Sequence, residues 1–357
     1  MMCGKYDKKL VISNRLKFLS LICSCFVVMI HLNWPFDTFG QWIFYKMVPC
    51  FVCRMAVPFF FVVSGYFLAK HFAEPKWWSK CLFKKMKTVG VPYFTWNIIA
   101  LLSSTFIVAL VALRDGNGVI ATVVKFYERV GLLDVLGFEL SHYPILAPLW
   151  YLRCLVIFVA ISPILKKALS VGSWWVLLLL YVIHITTKSY LAQGGGLAFF
   201  VVGISLSGLF YYSFGMSLKM WITSDFLEKR NYCLLLICGL LSVALECISI
   251  CFNYANVGIV KHSSGLLDEI AISLFLVFAW YIAPAIELPQ KFSKMAFPIF
   301  LIHGVLLPYF DGMLPMTGLY GYGLIVFEFA LCIIGSIVLT VVLKKTELCK
   351  CLFGGRV

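Results

Sequence analysis

Residues 16–31 read LKFLSLICSCFVVMIH, an apolar run that closes on a histidine. It shows none of the alternation of a strand with one wet face, so its period is that of a helix or of nothing regular. Continued to Trp34, a helix over 16–34 is about 28 Å long, close to the thickness of bilayer hydrocarbon. Similar runs follow at 48–69, 88–113, 144–165, 172–187, 196–216, 231–252, 266–286, 296–313 and 320–343, the fifth being the shortest. The chain of 357 residues is 62% hydrophobic and only 13% charged, with a mean hydropathy of +0.95. That is too apolar for a water-soluble globule, and inside hydrocarbon only a helix or a closed barrel satisfies its own backbone. The reading is an all-α, polytopic transmembrane bundle of about ten helices, a single membrane domain over 1–357 whose surroundings are lipid bilayer.

The net charge is +14, which in a soluble protein would raise nucleic acid as a partner. Its distribution argues otherwise. Of the 30 Lys and Arg, 22 fall on one side of these spans. They include Lys5, Lys8, Lys9, Arg15 and Lys17 before the first span and Lys70, Lys76, Lys80, Lys84, Lys85 and Lys87 after the second. The positive-inside rule predicts both termini in the cytoplasm. The first run resembles a secretory leader in its basic start, but it ends in His31-Leu-Asn-Trp34-Pro35 with no small-residue cleavage site, and is expected to stay as a helix. The 14 cysteines include one CxxC, Cys50 and Cys53, with no second pair or histidine cluster to complete a zinc set. No metal is expected.

Ionisable groups inside spans are costly and are candidates for function. His31, Arg54, Arg153, Glu246, His303 and Glu328 qualify. Below His31, Ser24, Ser20 and Lys17 recur at helical spacing, making one polar stripe down the first helix. Arg54 stands four residues before Pro58, whose ring displaces the carbonyl it would otherwise bond, so a kink is expected at the arginine. The guanidinium there either faces a watery cavity or pairs with Glu246 or Glu328. Lys80, Lys84 and Lys87 share a face of a helix starting at Trp77, where they fit either the phosphates of a cytosolic cofactor or plain topology. His303, in the inner half of its span, reads as a satisfied core histidine. Trp34, Trp42 and Tyr45 read as interfacial anchors. The longest loop, 114–143, opens with Arg114-Asp-Gly-Asn-Gly118 and continues as an amphipathic stretch through Asp134, suited to lie on the membrane or cover a site.

Several of these segments occur together in a known order: LKFLSLICSCFVVMIH at 16–31, RMAVPFFFVVSGYFL at 54–68, KKMKTVGVPYFTWN at 84–97, PLWYLRCLVIFVAISPIL at 148–165 and FPIFLIH at 297–303. Over nearly its whole length the chain resembles the membrane-bound acyltransferase 3 family, which O-acylates cell-surface glycans. The resemblance implies transfer of an acyl group, usually acetyl from acetyl-CoA, to a hydroxyl of a glycan or lipid-linked sugar, at the inner or plasma membrane. It implies that His31 is the essential histidine and Arg54 the arginine ahead of the proline. It further implies that Ser64-Gly65-Tyr66 is the helix-two signature and Trp150 the tryptophan opening helix four, beside Arg153 on the acceptor side. Ser64, Tyr66, Lys80, Lys84, Lys85 and Lys87 are the expected contacts of the coenzyme. One departure stands out: the family's first helix usually carries arginine eleven residues before the histidine, about 16 Å below it, and here that position is Ser20. Lys17, a turn further down, has the charge but not the planar fork of a guanidinium. The rival readings are a transporter or flippase for a glycan or acyl precursor, disfavoured by unrelated halves and few intramembrane acids, and a catalytically weakened relative.

Overall fold

The computed structural model describes residues 3–131, 143–192, 204–221, 232–259, 265–313, 318 and 320–355. Among the described residues all regular structure is helical and there is no strand. Twelve helices carry the architecture: α1 Cys3–His31, α2 Phe39–Tyr45, α3 Ala56–Ala69, α4 Trp77–Lys85, α5 Val91–Arg114 and α6 Val119–Arg129. They continue with α7 Trp150–Ala192, α8 Leu206–Trp221, α9 Tyr232–Val257, α10 Leu266–Ile282, α11 Ala296–Met313 and α12 Gly321–Leu343. Short helices at Gln290–Ser293 and Cys349–Phe353 flank the last two.

Among the described residues six continuous helical stretches are long and apolar enough to cross a bilayer: Leu10–His31, Phe39–Ala69, Trp77–Arg114, Ala147–Thr187, Tyr232–Val257 and Gly321–Leu343. The fourth runs for 41 residues and is broken at Gly172, whose φ of −163° and ψ of 65° leave the helical region. That break lies where the fifth expected span begins. The remaining expected spans are the shorter helices α8, α10 and α11; residues 196–203 of the sixth lie outside the described residues.

Proline chemistry shapes the helices that bear the site. The path Phe39–Ala69 is helical throughout, but it widens to a π-helix over Lys46–Val52, around Pro49, and tightens to a 3₁₀ turn over Cys53–Met55. The carbonyl of Arg54 is the one that Pro58 cannot bond, so the expected kink takes the form of this turn. In α7, Pro163 likewise strands the carbonyl of Val159. That oxygen accepts from the Ser162 hydroxyl at 2.7 Å and from the Trp78 indole at 3.2 Å, which ties α4 to α7.

The most extensive helix pair is α3 with α8, and its closeness rests on small residues. A Cβ on Gly65 would strike the backbone carbonyl of Tyr212, and one on Gly215 that of Val62. Where lipid is as apolar as a side chain, such backbone proximity and the dispersion it brings are what hold helices together. The main core surrounds this pair, with Phe61, Phe158 and Tyr212 fully buried. Ser20 and Ser24 of α1 cost little here because each bonds a carbonyl of its own helix, Ser20 to Leu16 at 2.6 Å and Ser24 to Leu21 at 2.7 Å.

Trp34 and Trp42 depart from the expected anchoring role. Both are buried: the Trp34 indole donates to the Met29 carbonyl at 2.7 Å, and Trp42 packs against Phe39 and Tyr254. Among the described residues the most exposed tryptophans are instead Trp174 and Trp175, 74% and 76% accessible beside the Gly172 break.

Candidate active site

The helices enclose a cleft of about 570 Å³ at the face where the basic residues gather. Ser20 of α1 and Ser64 of α3 form part of its wall, Tyr151 and Phe300 its depth, and Lys84, Lys85 and His71 its mouth. The Ser64 and Tyr151 hydroxyls are 3.3 Å apart. The short helix Cys349–Phe353 folds back beneath α5, where the Trp96 indole donates to the Leu352 carbonyl at 2.9 Å, and Gly354 and Gly355 complete the rim. Gly354 has φ +60° and lies so near the Thr88 backbone that a Cβ would overlap it. Both constraints call for glycine.

Of the residues expected at the coenzyme, the structure brings Ser64, Lys84 and Lys85 to this cleft and not Lys80, Lys87 or Tyr66. Lys80 and Lys84 are both within the regular helix α4, whereas Lys87 lies in the π-helical stretch Met86–Gly90, which departs from the 3.6-residue register; Lys87 rests over the Phe83 ring at 4.5 Å. Tyr66 faces the far side of α3, where it lines a separate, mostly apolar cavity of about 810 Å³. Lys17 is exposed and outside the cleft wall; the cations that line the cleft with Ser20 are Lys84 and Lys85.

At the opposite end of α1, His31 is exposed and its ring centroid is 5.4 Å from that of His303 on α11. His303 is fully buried. Its Nδ1 lies 3.1 Å from the Ile299 carbonyl, whereas Nε2 has no hydrogen-bond partner among the described residues. The satisfied core histidine expected at 303 is therefore satisfied on one nitrogen only. Phe300, one turn back towards the cleft, is 5.6 Å from the Tyr151 ring and 6.1 Å from the His303 ring. A chain of side chains thus runs from the cleft through Tyr151, Phe300 and His303 to His31.

Arg54 has a partner that sequence reasoning overlooked. Its Nη2 donates to Glu269 Oε1 at 3.0 Å, and Glu269 Oε2 lies 3.2 Å from His184 Nε2. Glu269 and His184 are buried while the arginine side chain stays 31% accessible. Glu246, Asp268 and Lys46 are buried around them. Ser273 donates to the Glu269 carbonyl at 2.8 Å and meets the Tyr211 hydroxyl at 2.9 Å. Arg54 is held by a network, with Glu269 occupying one of its five N–H donors. Glu328 belongs elsewhere, buried on α12 near Asp311, which accepts from Asn33 at 2.9 Å.

Trp150 opens α7 and packs on Phe61 and Tyr143, 6.0 and 6.4 Å between centroids. Arg153 is buried against Tyr93. Neither lines the cleft. The loop expected over 114–143 contains α6, tied to α5 by the Tyr127 and Thr105 hydroxyls at 2.8 Å; Asp134 lies outside the described residues. Among the described residues the cysteines are free and no group of side chains is fit to hold a metal.

Fold and site define a multi-pass helical membrane protein with a basic-mouthed cleft joined to a paired histidine. The chain belongs to the acyltransferase 3 family: the family profile, described as an acyltransferase domain, matches residues 15–345. No curated protein and no solved structure matches it.

Proposed function

We propose that this chain is an O-acyltransferase that takes an acyl group, in the simplest case acetyl, from a coenzyme A thioester and passes it to a hydroxyl of a cell-surface or lipid-linked glycan. The observation that carries the reading is the line from cleft to histidine. The cleft wall residue Phe300 leads to His303 and thence to His31, so the mouth where a charged donor binds and the end where an acceptor arrives belong to one path. The distribution of Lys and Arg supports a cytoplasmic mouth with both termini inside; ten crossings and residence in the cell membrane complete the reading. Lys84 and Lys85 then meet the phosphates of the coenzyme as charge-assisted donors.

His31 acts as general base. A sugar hydroxyl is a poor nucleophile near neutral pH, and an imidazole within reach takes its proton as the bond to the acyl carbon forms. Arg54, steadied by Glu269 and partly accessible, has donors left for the oxyanion that develops on the acyl group.

Ser20 favours a second reading, of a weakened relative. Its hydroxyl is turned onto its own helix, bonded to Leu16, and gives the cleft no cation where the family usually has one. The deciding experiment follows transfer from labelled acetyl-CoA into surface glycans in a deletion background. Wild type is expected to transfer label and His31→Ala to lose it by at least about 100-fold while remaining in the membrane. Label with Ser20→Arg alone would establish the weakened relative; none in any strain would turn the reading to another donor or to transport.

A further inference from the structure

His303 is the feature that the acyl-transfer reading leaves unexplained. A histidine kept only for packing is expected to have both nitrogens satisfied, since a buried polar atom without a partner is penalised. Here one is satisfied and the other is not. The bond to the Ile299 carbonyl needs a donor, which places the proton of the neutral ring on Nδ1 and leaves Nε2 as a buried acceptor. The side chain nearest in kind is His31, its centroid 5.4 Å away with the rings tilted by 32°. Two imidazoles joined by an N–H···N hydrogen bond of about 3 Å have centroids about 5 to 5.5 Å apart. The separation therefore suits such a bond, and a turn of the exposed His31 ring is enough to aim an N–H at the waiting lone pair.

We propose that His303 is the positioning residue of His31: its Nε2 accepts the His31 N–H, fixes one tautomer and turns the other ring nitrogen towards the acceptor hydroxyl. The inference rests on the acyl-transfer reading for its consequence but not for the pairing itself. In the reaction the proton leaves the acceptor hydroxyl for the free nitrogen of His31 as the oxygen bonds to the acyl carbon. The thiolate of the coenzyme departs with the electron pair of the broken C–S bond, and the proton returns to it or to solvent. His303 exchanges no proton; its bond to His31 strengthens while His31 is cationic. This is the arrangement of a base oriented by a third group, with a neutral imidazole in the orienting place.

The test compares wild type, His303→Phe and His303→Gln, each first shown to enter the membrane and to melt like wild type in detergent. His303→Phe keeps the bulk and removes the acceptor; His303→Gln keeps a carbonyl acceptor. We expect His303→Phe to lower kcat about 10- to 100-fold with KM for acetyl-CoA unchanged, as for an interaction made only in the transition state, and His303→Gln to recover most of the rate. In ¹⁵N spectra of ring-labelled histidine, the His31 signal, recognised by its loss in His31→Ala, should show one tautomer in wild type and His303→Gln and a mixture in His303→Phe. Wild-type kcat in His303→Phe, an unchanged His31 tautomer, or a His303→Gln protein as slow as His303→Phe would each overturn the proposal. Should wild type transfer no label, the acyl-transfer reading fails on its own and the spectra still decide the pairing.

Discussion

Glu269 shows how much of the site depends on one carboxylate. It joins Arg54 to His184 within the bundle, and an ion pair broken from one side leaves a charge without compensation. Glu269→Ala should therefore lower stability by about 3 kcal/mol or more, seen as a drop in the apparent melting temperature in detergent, while Glu269→Gln, which keeps an acceptor for Arg54, should lower it less. An equal effect of the two substitutions would remove charge from the explanation. The sequence pointed to Arg54 through Pro58 and left open whether it faces a watery cavity or pairs with an acid, for which Glu246 and Glu328 were the candidates. Glu269 lies in the first turn of α10, where an acid reads as ordinary compensation of the helix dipole, and nothing in the local pattern shows that it faces inward. His303 was legible as a buried histidine; that one nitrogen is left over is a fact of three-dimensional packing.

At the scale of the element, Gly65 and Gly215 set how closely α3 and α8 approach. Gly65→Leu should force the two helices apart, because the obstacle is backbone and cannot rotate away. The expected result is a protein that fails to accumulate in the membrane or melts at least about 5 °C lower, whereas Ser64→Ala on the cleft side should melt like wild type. The Ser64-Gly65-Tyr66 segment is thus divided in function: its serine faces the cleft, its glycine the partner helix and its tyrosine a second cavity. Periodicity forecast the helices well because apolar runs of this length admit little else in hydrocarbon. It does not place Lys87, which falls in a π-helical stretch that departs from 3.6 residues per turn without changing composition. The same limit hid the bond from Trp78 to Val159: Pro163 was visible, but not which donor would meet the carbonyl it strands.

For the molecule as a whole, the asymmetry of Lys and Arg predicts the orientation. An epitope inserted at Asn117, in the turn between α5 and α6, should be reached by antibody on intact cells, whereas one inserted at Lys345, beyond α12, should be reached only after permeabilisation. The reverse pattern would invert the membrane placement and put the cleft outside. Composition carried the class of the molecule and ordered motifs its family, since both are sums over many residues. The cleft was harder to read because it joins α1, α3, α4, α7 and α11 with the segment after α12, and no motif spans such separations.

That last segment has a practical bearing on anyone who purifies the protein. With Phe353 buried, Gly354 wedged against Thr88 and Gly355 on the rim, a fluorescent reporter or affinity handle fused directly after Gly355 would stand in the doorway of the cleft. Such a fusion would yield material that is well folded and well inserted yet starved of its donor, so handles belong at the other end of the chain.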